Sequence, residues 1–198
     1  MHHFEKLLSI LFNIIITLTV FAFALGFLVS DQWIKPNFEL PLSEINGITV
    51  DSNDNVYVGL NYFSSIQVYD KFGNFLKNWY INNEGGLFSF AIDDYDQIIV
   101  DGTRLSNIKI FDNSGNEILK PVSNLSATDL YKYKDGKFVA KNGRVYEIKV
   151  TIFKSIVMTY PEIKSVVEQS LWKQIFSVPK VLILIGIGIL GKLITKRL

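Results

Sequence analysis

Two pairs of closely spaced acids, Asp51 with Asp54 and Asp93 with Asp96, are the groups in this chain best suited to chemistry. Such carboxylates can supply oxygens to a hard cation such as calcium, which takes roughly six to eight of them. Paired carboxylates elsewhere serve as the acid and base of glycoside hydrolysis, but no pair in this chain is singled out for it. Each pair lies in a run, Asp51-Ser-Asn-Asp-Asn55 or Asp93-Asp94-Tyr95-Asp96, of residues that favour tight turns by bonding their own backbone. The turn reading is preferred, so no metal site is expected and no catalytic residue is assigned. The only histidines are His2 and His3, and there is no cysteine. A Ser-His-Asp triad, a Cys-His pair, the common zinc sites and a disulfide framework are thereby excluded from the middle of the chain. Gly186-Ile-Gly188-Ile-Leu-Gly191 matches a dinucleotide fingerprint letter by letter, but it sits in an apolar run with no strand following it. Glycines there suit close packing of membrane helices. Asn124-Leu-Ser126 fits a glycosylation acceptor, a three-residue pattern that recurs by chance.

The acids recur because the stretch that positions them is written twice. Asp51 maps onto Asp93, Asp54 onto Asp96, Val58 onto Val100, Ile66 onto Ile108, Asp70 onto Asp112, Gly73 onto Gly115 and Asn74 onto Asn116, all at an offset of 42 residues. A period of this length marks a propeller-type array. Within the first copy, Ile48/Val50, Val56/Val58 and Ile66/Val68 alternate as strands with one buried face, and a fourth strand is expected near 75–80. Gly73 or Asn74 supplies the positive φ that the third turn needs. The second copy runs through Phe90/Ile92, Ile98/Val100 and Ile108/Ile110. A degraded third copy comprises Asp129-Leu-Tyr-Lys-Tyr133, Lys137-Phe-Val-Ala140 and Arg144-Val-Tyr-Glu-Ile-Lys149, with Asn142-Gly143 as a two-residue hairpin turn. Residues 155–170 read as one more hairpin turning at Pro161-Glu162. A helix through 162–176 is the alternative.

Gly47-Ile-Thr-Val-Asp51, Asn55-Val-Tyr-Val58 and Ile66-Gln-Val-Tyr-Asp70 together resemble the NHL repeat, one blade of a β-propeller. The second copy departs with Ser89 in the place of Gly47. The resemblance implies a mainly β protein with about three antiparallel four-stranded propeller-like blades, as an open arc or partial propeller, and the apolar ends of the chain add two flanking transmembrane helices. The layout also resembles a group of uncharacterised bacterial two-span membrane proteins. Lyases built on NHL-type propellers rely on histidine-bound metal, so the resemblance does not carry that activity to this chain. Since propellers usually close with about four blades or more, three or three and a half leave either a capped open arc or a ring completed by a second copy, a homodimer.

The ends of the chain are apolar. Leu7 to Val29 is 23 residues long, about 35 Å as helix and enough to cross a bilayer core. Ala22-Phe-Ala24 has the form of a signal-peptide cleavage site, but the apolar run continues past it, so an uncleaved anchor is preferred. A second span, weaker at its core, runs from Ile175 to Ile194 if Lys180 and Lys192 snorkel. Trp172 would then stand near the headgroups; a buried or interfacial helix is the alternative. Lys192, Lys196 and Arg197 against Asp31, Glu39 and Glu44 put both termini in the cytoplasm and the middle outside. The expected division is 1–6 cytoplasmic tail, 7–29 transmembrane helix, 30–44 linker, 45–172 extracytoplasmic repeat domain, 173–195 transmembrane helix and 196–198 cytoplasmic tail. Residues 31–150 carry 16 acids against 12 bases, which argues against a nucleic-acid partner.

Tyr62, Phe63, Trp79, Tyr80 and Arg104 lie in the loops and junction on one rim of the blades and are types enriched at binding hot spots. They are the candidate ligand-binding residues, with packing between blades as the alternative for the aromatics. The expected function is a membrane-anchored extracytoplasmic binding or scaffold domain, non-enzymatic and without cofactor, meeting the lipid bilayer and a protein, peptide or glycan outside the cell. The alternatives are a structural assembly subunit that completes a propeller by oligomerisation, and a carboxylate-dependent hydrolase.

Overall fold

The computed structural model describes residues 2–31, 33, 37–83, 86–105, 108–118, 133–134, 137–140, 143–151, 155–160, 164–170, 173 and 178–195. Helix α1 (His2–Ser30) leads into strands β1 (Ile45–Val50), β2 (Val56–Leu60), β3 (Ser65–Tyr69) and β4 (Phe75–Tyr80), paired in that order as sheet 1. Sheet 2 holds β5 (Phe88–Ile92), β6 (Ile98–Gly102) and β7 (Lys109–Phe111). Sheet 3 holds β8 (Tyr133–Lys134), β9 (Lys137–Val139), β10 (Val145–Val150), β11 (Ser155–Tyr160) and β12 (Lys164–Glu168), and helix α2 (Val178–Thr195) ends the described chain. All pairings are antiparallel. The protein is therefore mainly β, with three antiparallel sheets consistent with propeller-like blades.

Only sheet 1 has the expected four strands. In sheet 2 the fourth strand is reduced, among the described residues, to one bridge between Phe111 and Glu117. Pro121 stands 42 residues after Trp79, and a proline has no N–H to give to a ladder. The 155–170 hairpin is not a separate half-blade. β11 pairs with β10 without a break from Val145↔Tyr160 to Val150↔Ser155, so the hairpin forms the outer two strands of sheet 3. The strand over Lys164–Glu168 also displaces the helical alternative there, as paired β-branched side chains favour. Asp129–Lys132, Asn142, Pro161-Glu162, Trp172 and the Asn124 tripeptide lie outside the described residues.

Alternation within sheet 1 sends its two faces into two cores. Ile48, Val50, Val56, Val58 and Tyr69 pack with Phe138, Tyr146, Val157 and Val167 of sheet 3. Tyr57, Ile66, Val68 and Trp79 pack with Phe88, Phe90, Ile98, Val100 and Phe111 of sheet 2. Sheet 1 is thus the middle of an arc, with sheets 2 and 3 on its opposite faces. Gly73, at φ 85°, sits where a Cβ would lie 1.9 Å from the Val166 carbonyl oxygen of β12. Its counterpart Gly115, at φ 86°, would set a Cβ 2.6 Å from the Trp79 ring. One glycine thus serves both the turn and the contact between neighbouring sheets.

The linker between α1 and β1 runs between sheets 1 and 3, and two buried glutamines take the place of strand neighbours. Gln67 Oε1 accepts from the Leu40 amide at 2.5 Å, and its Nε2 donates to the Leu40 carbonyl at 3.1 Å. From the other side, Gln169 Oε1 accepts from the Leu42 amide at 2.8 Å, and its Nε2 donates to the Leu40 carbonyl at 2.7 Å. Tyr69 donates its hydroxyl to Glu39, which also pairs with Lys173. Burial, the Glu39 charge and the hydrogen bond to it push the Tyr69 hydroxyl well above its usual range.

Among the described residues one helix, Lys6–Val29, is long and apolar enough to cross a membrane by length and composition. α2 packs along it, where a Cβ on Gly188 would lie 2.6 Å from Ile16 and one on Gly191 would lie 2.3 Å from the Phe12 ring. These two glycines are thus the surface on which α1 rests, while Gly186 has open space. Val29, at the end of α1, already belongs to the core shared with Leu40, Leu42 and Phe63.

Replacing Gln67 with leucine strands the buried Leu40 amide, worth about 1–3 kcal/mol when left unpaired, while Gln169 still donates to the Leu40 carbonyl. Urea unfolding should show Gln67→Leu to be destabilised by about 1–3 kcal/mol. The equivalent Lys109→Leu change in sheet 2 removes only a partly exposed pair to Glu117 at 3.5 Å, and should cost under about 1 kcal/mol. Equal losses in the two variants would remove the special role of Gln67.

Candidate functional site

The β2–β3 loop lies at the helix end of sheet 1. A Cβ on Gly26 of α1 would be 3.6 Å from the Tyr62 hydroxyl, so Tyr62 is half-buried beside the helix. Its ring meets Phe63 edge to face at 4.9 Å. Phe63 is only 3% exposed, within the core of sheets 1 and 3. Trp79 is 9% exposed, between sheets 1 and 2, with the Tyr57 ring at 6.1 Å and Phe111 at 6.4 Å. Tyr80 is half-buried against the first core, and burial pushes its hydroxyl up to about 12. Arg104 is exposed in the β6–β7 connection, where its stem packs near Gly86. The five expected residues do not form one patch. Phe63 and Trp79 are interior to two different cores, because a rim residue of an inner sheet is covered by its neighbour.

The repeated acids are engaged in their own turns. Asp51 Oδ1 accepts from the Asn53 and Asn55 amides at 2.9 and 2.8 Å, while its Oδ2 accepts from the Asn55 side chain and the Tyr57 hydroxyl. Asp70 does the same with Phe72 and Asn74, and Asp112 with Ser114 and Asn116. Asp93 accepts from the Tyr95 and Gln97 amides, each at 2.8 Å. These are Asx turns, and among the described residues no three acids or histidines converge on a metal position. Asp96 accepts from the Ser52 amide at 3.0 Å and from the Ser52 hydroxyl, which ties the first turns of sheets 1 and 2 together.

The opposite end of sheet 1, where the β1–β2 and β3–β4 turns lie, holds the concave feature that sequence reasoning missed. A cleft of about 260 Å³ opens between the β3–β4 turn and sheet 3. Lys71 and Phe72 come from that turn, Arg144 and Tyr146 from the start of β10, Thr159 and Tyr160 from the end of β11, and Lys164 from the start of β12. The antiparallel register that sets Val145 opposite Tyr160 and Thr159 opposite Lys164 brings these termini together. Arg144 reaches Asp54 of the β1–β2 turn at 3.7 Å. Burial, then the Asp54 charge, raises the Tyr146 hydroxyl above its usual value. The sequence carries one signal of this site: the repeat places Asn113 and Ser114 where Lys71 and Phe72 stand.

No family model matches the chain, and no curated protein matches it. A solved streptogramin B lyase is similar with a TM-score of 0.37 and 15% identity, over 65% of this chain and 41% of that one. A virginiamycin B lyase from Staphylococcus aureus is similar with a TM-score of 0.36 and 16% identity, over 64% and 45%. The chain spans less than half the length of either. The expectation that the protein is not an enzyme is corrected on this finding, since the solved proteins it resembles are enzymes. The likeness is too slight to bring their reaction to this chain.

Bonds from the Asn74 and Asn116 side chains, then from their backbone amides, hold the Asp70 and Asp112 carboxyls below the usual value. A carboxyl depressed in the folded state adds stability above its unfolded pKa, and that stability is lost as pH falls through the folded value. Thermal midpoints should therefore fall as pH drops below about 4. In the double variant Asn74→Ala, Asn116→Ala that acid loss should be smaller, because the folded carboxyls revert towards ordinary values. An unchanged acid limb in the double variant would overturn the assignment.

Proposed function

We propose that this protein is a membrane-anchored β-repeat domain that binds a ligand on the far side of the membrane from its termini. The observation that carries the reading is α1: a long helix with exposed apolar side chains, such as Leu7 at 66% and Phe21 at 62%, whose last turn enters the domain core through Val29. Exposed apolar side chains along that length suit lipid. α2, fitted to it through Gly188 and Gly191, is taken as the second span. The bases at the C-terminal flank and the acids after α1 support an orientation with both termini inside. The partner outside is a protein, peptide or glycan, met at the end of the domain away from the helices.

Pairing with a second copy is the second reading, favoured by the arc itself. Sheets 2 and 3 flank sheet 1, and two such arcs would supply about six blades, a usual ring size.

Cysteines placed singly at Lys6 and at Tyr95, which is 84% exposed, test the topology in intact cells with an impermeant thiol reagent. Tyr95→Cys should label and Lys6→Cys should not; the reverse pattern would overturn the orientation. The detergent-corrected mass of the purified protein should be that of two chains if the ring is shared. A stable monomer with a cooperatively folded domain would exclude the shared ring and leave the anchored binding domain standing.

A further inference from the structure

The cleft between the β3–β4 turn and sheet 3 is lined by three cations, Lys71, Arg144 and Lys164, and its described lining contains no carboxylate. Among the described residues the acids close by, Asp70 and Asp54, already have partners of their own. Asp70 is committed to the amides of Phe72 and Asn74 and to the Asn74 side chain. Asp54 meets Arg144 at 3.7 Å with about half of the Arg144 side chain exposed, at 54%. A pair of that kind is worth about 0–1 kcal/mol and yields to a better-placed anion. Cations on the walls of a concave site focus their field into it.

Two flat rings complete the cleft. Phe72 is 73% exposed at its lip, with Lys71 Nζ 5.3 Å from the ring centroid. Tyr160 is half-buried on the other wall, with Lys149 Nζ 5.9 Å from its centroid. A large exposed ring at the tip of a turn has no packing role there, and the second repeat has a serine at that place. Buried Thr159 and Tyr146 line the site and bring hydroxyl groups to it. At about 260 Å³ the cleft lies just below the usual range for drug-sized ligands, a size for a small ligand.

We propose that this cleft binds a small acidic ligand about the size of one sugar ring, its carboxylate or phosphate held among Lys71, Arg144 and Lys164 and its body against Phe72 and Tyr160. The proposal rests on the reading of the domain as a binding module, and it stands independently of topology and oligomeric state.

The test is calorimetric titration of the full chain in detergent with glucuronate, glucose 6-phosphate and glucose at constant ionic strength. Both charged sugars should bind at least about ten-fold more tightly than glucose, the scale of one charge-assisted hydrogen bond. The better of the two identifies carboxylate or phosphate as the group. Lys164→Gln and Lys71→Gln, both on the exposed lip, should each weaken the charged sugars about ten-fold. Lys137→Gln, exposed on β9 and outside the lining, should leave them unchanged. Equal affinity for glucose, absence of saturable binding by either charged sugar, or an equal loss in Lys137→Gln would overturn the proposal. Labelling of Tyr95→Cys is unaffected by any of these results, so failure of the site and failure of the topology are read separately.

Discussion

An extended linker buried between two sheets needs partners for its amides and carbonyls, and here two glutamines supply them to Leu40 and to the Leu42 amide. Gln67 and Gln169 present to Leu40 and Leu42 the donor and acceptor that a neighbouring strand would have offered. A side-chain amide has the same two groups as a peptide unit, which makes glutamine a natural substitute. The consequence spreads widely. Leu40 and Leu42 are carried into the core, Glu39 is drawn to Tyr69 and Lys173, and the chain just after α1 is fixed to the chain just before α2. Sheet 3 is thereby held against sheet 1 by polar contacts as well as by its apolar face.

The repeat itself is a device for turning. Each aspartate closes its own loop by accepting from amides two and four residues on, and in three of the four loops an asparagine side chain adds a further bond. That leaves the carboxylates occupied and explains why four acids in regular places form no reactive pair. The glycines at the third turn do a second task, since the neighbouring sheet lies where their Cβ would be. Repetition in the sequence therefore encodes the stacking distance as well as the bend.

The two ends of sheet 1 differ in character. At one end Tyr62 lies beside Gly26, and Val29 and Phe63 share one core, so the helix and the domain are continuous. At the other, the β3–β4 turn of sheet 1 and strand ends of sheet 3 border a cleft with cations and rings. Exposed apolar surface at the helix end and positive charge at the free end give the two ends of the molecule unlike surfaces.

Much of this architecture was legible in the residues. The 42-residue offset and the alternation of Ile48/Val50, Val56/Val58 and Ile66/Val68 located the strands of the first two sheets, because side chains alternate along a strand with a period of two. The single buried face expected of them gave way to burial on both faces in β2 and β3. The Asp-x-x-x-Asn spacing specified its turns, since those bonds are local. What depended on distant neighbours was not legible. The 155–170 hairpin joined β10 rather than standing apart, a matter of register that no local pattern records. Phe63 and Trp79 went inward because sheet 1 is covered on both faces, while the same residue types on an outer sheet would face solvent. The repeat does set Gln67 against Lys109, but only the passage of the linker between two sheets gives that difference its meaning. The cationic cleft draws on a turn and on three strand ends from separate parts of the chain. Their meeting is decided by how sheet 3 packs on sheet 1, which is a property of the tertiary structure.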